Sequence, residues 1–275
     1  MTDLSIIIIN YRSWVPLGKC LDSILNQNNL KAKILVLDNN SDDNIFNDFK
    51  KKYNSVEWFK NDENLGFAKA CNIGSKKVNS KWILFLNPDT LIPQNCFENL
   101  ANKVKDSENE IISIKQLNEK GIDTHAYAIF LNLYSLNGIF RFIYRLVYGL
   151  SKKANSARLS FSPDWVSGSF MLIKRQDFIR IGGWDENFWM YYEDMDLCKR
   201  AKENDMEIIM LNDIFCYHFH GLSSRINYKT KIKSKTEVLI SKIKYVKKHF
   251  NGFKKFLLIS LIYVSILFEL TIMSI

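Results

Sequence analysis

Short, mostly apolar runs recur through the first third of the chain, with segments of helical spacing between them. Residues 4–9, 33–37, 56–59 and 82–86 form these runs and predict strands, the apolar and β-branched ones buried on both faces. Between them, residues 15–26 set Leu17, Cys20, Leu21, Ile24 and Leu25 at helical intervals. Residues 42–53 read as a helix capped by Ser41 or Asp42, and residues 67–78 as another. This alternation predicts an α/β fold with a mostly parallel sheet flanked by helices. Ligands of such sheets gather at the carboxyl ends of strands, and Asp38 and Asp89 fall just past two of those ends.

The pattern then loosens. Residues 118–163 read as an irregular insertion, within which the aromatic, basic stretch 130–148 is either an amphipathic helix on a membrane or partner, or a core-facing segment. Strand spacing resumes at 165–173 and 207–211, helical spacing at 193–204, and a Lys-rich amphipathic helix is predicted over 228–250. Residues 253–275 are nearly all apolar, broken by Lys254, Lys255 and Glu269. From Phe256 onward the segment approaches the roughly 20 residues of a bilayer span. Lysines precede it, so the expectation is a C-terminal helical, membrane-associated segment with the catalytic part on the cytoplasmic side. The alternative is a helix packed on the domain or lying in the interface. The chain thus divides into a catalytic domain, residues 1–225, and a basic, apolar tail, residues 226–275.

Composition narrows the classes. A 47% hydrophobic content with 11 Gly and 4 Pro in 275 residues describes a folded chain. The net charge of +9 concentrates between Arg225 and Lys255, where Glu237 is the only acid. Such a run suits an anionic membrane surface, nucleic acid or a solvated helix face. It lacks an Arg- and aromatic-rich base-reading pattern and abuts the apolar segment, so nucleic acid is not the expected partner. The five cysteines have neither metal-site nor redox spacing and are expected reduced. The N-terminus lacks the basic region of a signal peptide, so the catalytic part is expected to stay cytoplasmic. No G-x-G-x-x-G follows the first strand and no Walker loop is present, against dehydrogenase and ATPase readings.

Three acidic stations remain: Asp38 in Val36-Leu37-Asp38-Asn39-Asn40-Ser41, Asp89 in Asn87-Pro88-Asp89-Thr90, and Glu193-Asp194 in Tyr191-Tyr192-Glu193-Asp194-Met195-Asp196. His218, in His218-Phe219-His220-Gly221-Leu222-Ser223, is a fourth. Singly, each has a structural explanation as an Asx turn, a turn residue or a helix-dipole partner. With Asn64-Leu65-Gly66-Phe67-Ala68, Gly168-Ser169-Phe170-Met171 and Gly182-Gly183-Trp184-Asp185-Glu186 in the same order, the sequence resembles the family 2 glycosyltransferases of GT-A (Rossmann-like) fold, in the rhamnosyltransferase-like branch, over roughly residues 4–225.

The resemblance implies a nucleotide-sugar donor and an inverting transfer to a hydroxyl of a surface polysaccharide or lipid-linked glycan, with rhamnose from dTDP-rhamnose, or a UDP-sugar, as the donor guess. It gives Asp38 to the N–H of the nucleotide base, and Asn10 and Asn64 to the same pocket. Gly66 would let the backbone approach the donor. Asp89 would hold Mg²⁺ or Mn²⁺ on the pyrophosphate; Asn87 replaces the first acid of the family's D-x-D pattern, and His218 would complete the site. His220 competes for that role, but the His-x-x-Gly-x-Ser spacing favours His218. Asp194 would be the general base and Glu193 its helper, with Asp196 structural. Trp184 and Trp189 offer flat faces to sugar rings or, alternatively, pack in the core. The competing reading of the whole chain is a non-catalytic nucleotide-sugar-binding scaffold in a glycan assembly complex.

Overall fold

The computed structural model describes residues 3–28, 30–105, 107–133, 158–219 and 228–273. The first half runs β1 (Leu4–Asn10), α1 (Trp14–Leu25), β2 (Ala32–Asp38), α2 (Ile45–Lys52), β3 (Glu57–Lys60), α3 (Phe67–Lys76) and β4 (Trp82–Leu86). β1 and β4 are buried at every position, as strands covered on both faces must be. β1 pairs in parallel with β2 and β4, and its register sets Asn10 beside Asp38. α2 starts later than expected: the Ser41 hydroxyl donates to Asp38 and accepts from the Arg12 N–H, so it is not spent on a helix cap.

The second half continues with β5 (Thr90–Leu91), α4 (Cys96–Lys103), β6 (Glu110–Leu117), β7 (Tyr127–Ala128), β8 (Ser160–Phe161), β9 (Trp165–Val166), β10 (Phe170–Lys174), α5 (Arg175–Arg180), α6 (Glu193–Lys202), β11 (Glu207–His218), α7 (Tyr228–His249) and α8 (Gly252–Met273). Among the described residues the large sheet runs β3-β2-β1-β4-β10-β6-β11-β5, with β8 on β11. β10 is antiparallel to β4 and β6, and β5 and β8 are antiparallel to β11. The parallel expectation therefore holds from β3 to β4, and beyond β4 the sheet is mixed.

Two apolar clusters cover the two faces of the sheet. A third joins Leu131, Phe188 and Met195 to Tyr245 and Val246 of α7 and to Leu258 and Ile262 of α8. Phe130 and Leu133 pack against it, so the start of the 130–148 stretch faces the core; residues 134–157 lie outside the described residues. α8 packs by one stripe and leaves Phe253, Phe256, Tyr263, Val264 and Leu267 exposed. Among the described residues, no helix is long and apolar enough to cross a membrane. All five cysteines are free and buried; burial pushes the thiols of Cys20 and Cys96 up to about 12, so they act as small apolar groups.

Candidate active site

A cavity of about 490 Å³ opens at the carboxyl ends of the central strands. Strand register explains which residues meet there. β5 pairs with the end of β11, which makes His218 the partner of Thr90 and brings its ring to Asp89. β10 pairs with β4 from Phe170 and Leu86 onward, which sets residues 168–169 against Asn87, whose N–H donates to the Ser169 carbonyl at 2.9 Å. α6 then begins at the cavity wall with Glu193 and Asp194.

On the donor side, Asp89 and His218 are 2% and 3% exposed. His218 Nε2 lies 3.2 Å from Asp89 Oδ1 and 3.4 Å from Asn87 Nδ2. Its Nδ1 donates to Gln116 Oε1 at 2.8 Å, an oxygen that also accepts from the Ser169 hydroxyl. That arrangement turns the Nε2 lone pair toward a carboxylate oxygen that is buried without a hydrogen-bond donor. Two acceptors held together in low dielectric suit a shared cation. A carboxylate and an imidazole fit Mg²⁺ or, better, Mn²⁺. Among the described residues, no group of three or more His, Cys, Asp and Glu forms a metal cluster, so further ligands would have to come from Asn87, the donor or water.

On the opposite wall, Asp194 Oδ2 accepts from the Gly168 N–H at 3.3 Å and Oδ1 from the Met195 N–H at 2.8 Å. Burial raises its pKa to about 6, against the lowering pull of those N–H groups. Glu193 is 6% exposed, and its Oε2 has no partner. Burial first, and the Asp194 charge second, push its pKa well above the usual carboxylate range. The pair therefore sets two buried carboxyls that resist ionisation side by side, with Asp194 poised to take a proton near neutrality.

Several expected site residues do not line this cavity. Asp38 is 1% exposed and absent from the cavity wall. Its carboxylate is committed to Asn10 Nδ2 at 2.9 Å, the Ser41 N–H at 3.0 Å and the Ser41 hydroxyl. Asp38 and Asn10 thus lock the ends of β2 and β1, while Tyr11 and Asn39 line the space. Trp184 takes the core alternative: it is 1% exposed, its ring centre 5.5 Å from Phe67 and 5.1 Å from Phe85. Trp189 is also absent from the wall, its ring capped by Lys233 Nζ at 4.0 Å. Gly66 is small because of Trp189: at φ +80°, an added Cβ would stand 2.3 Å from the Trp189 carbonyl oxygen. Asn64, Gly66, Asn87, Asp89, Glu193, Asp194 and His218 do share the cavity. His220 lies outside the described residues.

Sequence reasoning missed Asn39 and Gln116. Asn39 donates to Asn64 Oδ1 and the Gly66 carbonyl, both at 3.0 Å, and accepts from the Leu65 N–H, fixing the loop above the sheet. Asn39 adjoins Asp38 in a motif already singled out; Gln116 carries no local signal.

The model of Glycosyl transferase family 2 matches residues 5–182, well over half of the chain. The chain belongs to glycosyl transferase family 2. A second model, the N-terminal domain of galactosyltransferase, matches residues 149–221. Rhamnosyltransferase WbbL of Escherichia coli K12 is 27% identical over 205 residues, covering 71% of this chain and 75% of its own. The low-salt glycan biosynthesis hexosyltransferase Agl10 of Haloferax volcanii is 27% identical over 76% of this chain, which spans 64% of that relative. The similarity to WbbL agrees with the resemblance to the rhamnosyltransferase-like branch. GalNAc-T7 crystallised with UDP, GalNAc and Mn²⁺ superposes with TM-score 0.62 at 15% identity, over 79% of this chain and 43% of that one. Staphylococcus aureus TarS superposes with TM-score 0.60 at 16% identity, over 92% of this chain and 40% of that one. The fold is GT-A-like, and the chain is a glycosyltransferase.

Proposed function

We propose that this glycosyltransferase inverts configuration, moving a sugar from a nucleoside diphosphate donor to a hydroxyl of a growing surface polysaccharide or lipid-linked glycan. The carrying observation is the geometry of the buried Glu193–Asp194 pair, whose carboxyls burial raises above the ordinary carboxylate range, across a cavity from Asp89 and His218. The acceptor hydroxyl gives its proton to Asp194 as its oxygen bonds to the anomeric carbon. The sugar–phosphate bond breaks from the opposite face, its electron pair leaving with the nucleoside diphosphate. Glu193 donates its proton in a hydrogen bond that orients the acceptor.

Asp89, His218 and Asn87 would hold Mg²⁺ or Mn²⁺, which when bound neutralises charge on the diphosphate. The nucleotide is gripped by Asn39, Asn64 and Tyr11; Asp38 and Asn10 support that grip from behind, through the bonds of Asp38 to Asn10 and Ser41. Gly66 lines the cavity with Trp189 packed behind it, and Trp184 supports that wall from the core. WbbL is named a rhamnosyltransferase, and a relative from Mycobacterium tuberculosis, 50% identical over 36 residues, an N-acetylglucosaminyl-diphospho-decaprenol L-rhamnosyltransferase. Both names support rhamnose as the transferred sugar, from dTDP-rhamnose in our reading, and the second supports a lipid-linked acceptor; the UDP complex of TarS keeps UDP-sugars as the alternative donors.

The exposed stripe of α8, led by Lys254 and Lys255, seats the tail on an anionic bilayer at the cytoplasmic face. Salt-dependent binding to anionic vesicles, and none to DNA oligomers, is the expected result; the reverse would remove the membrane reading.

A donor screen by mass spectrometry with Mg²⁺ or Mn²⁺ tests the reaction. The native chain should turn over one nucleotide sugar with inversion at the anomeric carbon. Asp194→Asn should bind the same nucleotide and lose turnover by about 10²–10⁴-fold. Equal turnover in both proteins would remove Asp194 as base, and binding without turnover in the native chain would favour a scaffold.

A further inference from the structure

The segment that leads into the catalytic helix is held in shape by the tail. Tyr191 and Tyr192 stand in succession at φ +68° and +67°, immediately before Glu193. This region is disfavoured for a non-glycine residue and persists only where the surroundings enforce it. Those surroundings are largely α7. The buried Ser241 hydroxyl donates to the Met190 carbonyl at 2.8 Å, and Lys244 Nζ donates to the Asn187 carbonyl at 2.6 Å. The Tyr191 hydroxyl hydrogen-bonds Ser234, and the Tyr192 ring packs on Tyr245 with centres 5.8 Å apart.

Just beyond the base, Asp196 is fully buried. One of its oxygens faces His249 Nε2 at 2.7 Å and Lys248 Nζ at 2.6 Å; the other accepts from Arg200 Nε at 2.8 Å. Arg200 in turn donates to the carbonyls of Ile181 and Gly183. Asp194 therefore sits between two anchored points, Tyr192 and Asp196, and both anchors end on α7. That helix lies outside the residues matched by either family model, 5–182 and 149–221.

We infer that α7 belongs to the catalytic apparatus, with Ser241 and His249 as positioning residues that aim the Asp194 carboxylate through Met190 and Asp196. The inference rests on the reading of Asp194 as base. A misplacement of about 1 Å at a reacting group can cost on the order of 10²-fold in rate, so loosening either anchor acts on kcat before it acts on donor binding, which involves the opposite wall.

The test uses the full chain with the donor found in the screen, and UDP and dTDP as binding probes. His249→Ala and Ser241→Ala should each lower kcat at least tenfold, with donor KM and nucleotide Kd within twofold of native. His249→Gln keeps an N–H donor for Asp196 and should recover most of the loss. Lys235→Ala, exposed on the same helix, should match native. Native kcat in both alanine variants overturns the inference, as does a parallel loss of nucleotide affinity or a His249→Gln variant as impaired as His249→Ala. If His249→Ala does not fold, the split in Ser241→Ala decides. Asp194→Asn run alongside separates the two failures: full turnover there removes the base itself, whereas an inactive Asp194→Asn with fully active alanine variants removes only the role of α7.

Discussion

The two walls of the cavity are built on different principles. The donor wall is made by strand ends: register alone brings Asn10 to Asp38 and His218 to Thr90 beside Asp89. Its side chains are buried and lock one another. The acceptor wall is a loop and a helix start, carrying two left-handed tyrosines and a carboxyl pair whose burial opposes ionisation. It keeps that shape by bonds to a helix from the far end of the chain. A wall made by register is cheap to specify and rigid; a wall made by long-range anchors can hold groups in states that the local sequence disfavours.

The sharpest way to separate the walls is to remove one charge from each. Asp89→Ala should lower kcat by about 10²–10³-fold and abolish the Mg²⁺ or Mn²⁺ dependence of nucleotide binding, read by calorimetry with and without chelator. Asp194→Asn should leave that dependence intact. If Asp89→Ala binds nucleotide with undiminished metal dependence, the donor wall does not hold the cation.

The seam between the walls is the next target. Gly66 meets the Trp189 carbonyl, and the Phe67 N–H donates to that same oxygen at 2.8 Å. Gly66→Ala forces a contact shorter than any relaxed carbon–oxygen approach, at a positive φ. We expect a loss of roughly 2–4 kcal/mol, read as a lower urea midpoint at unchanged m-value, together with reduced kcat. A native midpoint would mean that the seam yields without cost.

The same contrast explains what was legible in the sequence. The donor wall was, because a buried strand is a run of apolar residues and its end is marked by the first polar one, as at Asp38 and Asn87. Trp82–Leu86 was read at its observed bounds for that reason. β11 was read only to Leu211, because a register shift between Leu211 and Phe215 breaks the alternation, and that shift lies on the path to His218. Trp184 and Trp189 could not be placed from sequence, since a ring suited to a sugar is equally suited to a core. The reasons for Gly66 and Asp196 were invisible: each depends on a partner, Trp189 or His249, set by tertiary structure. The order of the acidic stations identified the family; it did not show that Asp38 is already occupied by Ser41.

Acid titration probes the acceptor wall by activity. Asp194 must be ionised to accept a proton, and its pKa is raised to about 6. The rate should therefore fall about tenfold per pH unit below 6 and level off above it, a limb that the residual rate of Asp194→Asn should lack. The raised value also means that ionising Asp194 costs the fold stability as pH rises from about 4 to 6. Asp194→Asn should then melt several degrees higher than native at pH 7.5. An acidic limb near pH 4, with no gain in Tm, would show Asp194 to be an ordinary solvated carboxylate.

Asp196 should behave in the opposite sense, and with the smallest effect. Burial alone would raise its pKa, but the His249 hydrogen bond, the Arg200 charge and the Lys248 ammonium bring it down to about 2 from 3.8. A depressed carboxylate stabilises the fold above its unfolded pKa and loses that contribution as pH falls toward the folded value. The total is about 2 kcal/mol, of which roughly 1 kcal/mol is gone by pH 3. Thermal melts from pH 5 to pH 3 should show this slope in native protein, with a shallower slope in Asp196→Asn, whose baseline is lower because Lys248, His249 and Arg200 lose their counter-charge. Parallel slopes would place the acid sensitivity elsewhere, and would leave Asp196 as a packing contact between α6 and α7 rather than the ionic anchor that its partners imply.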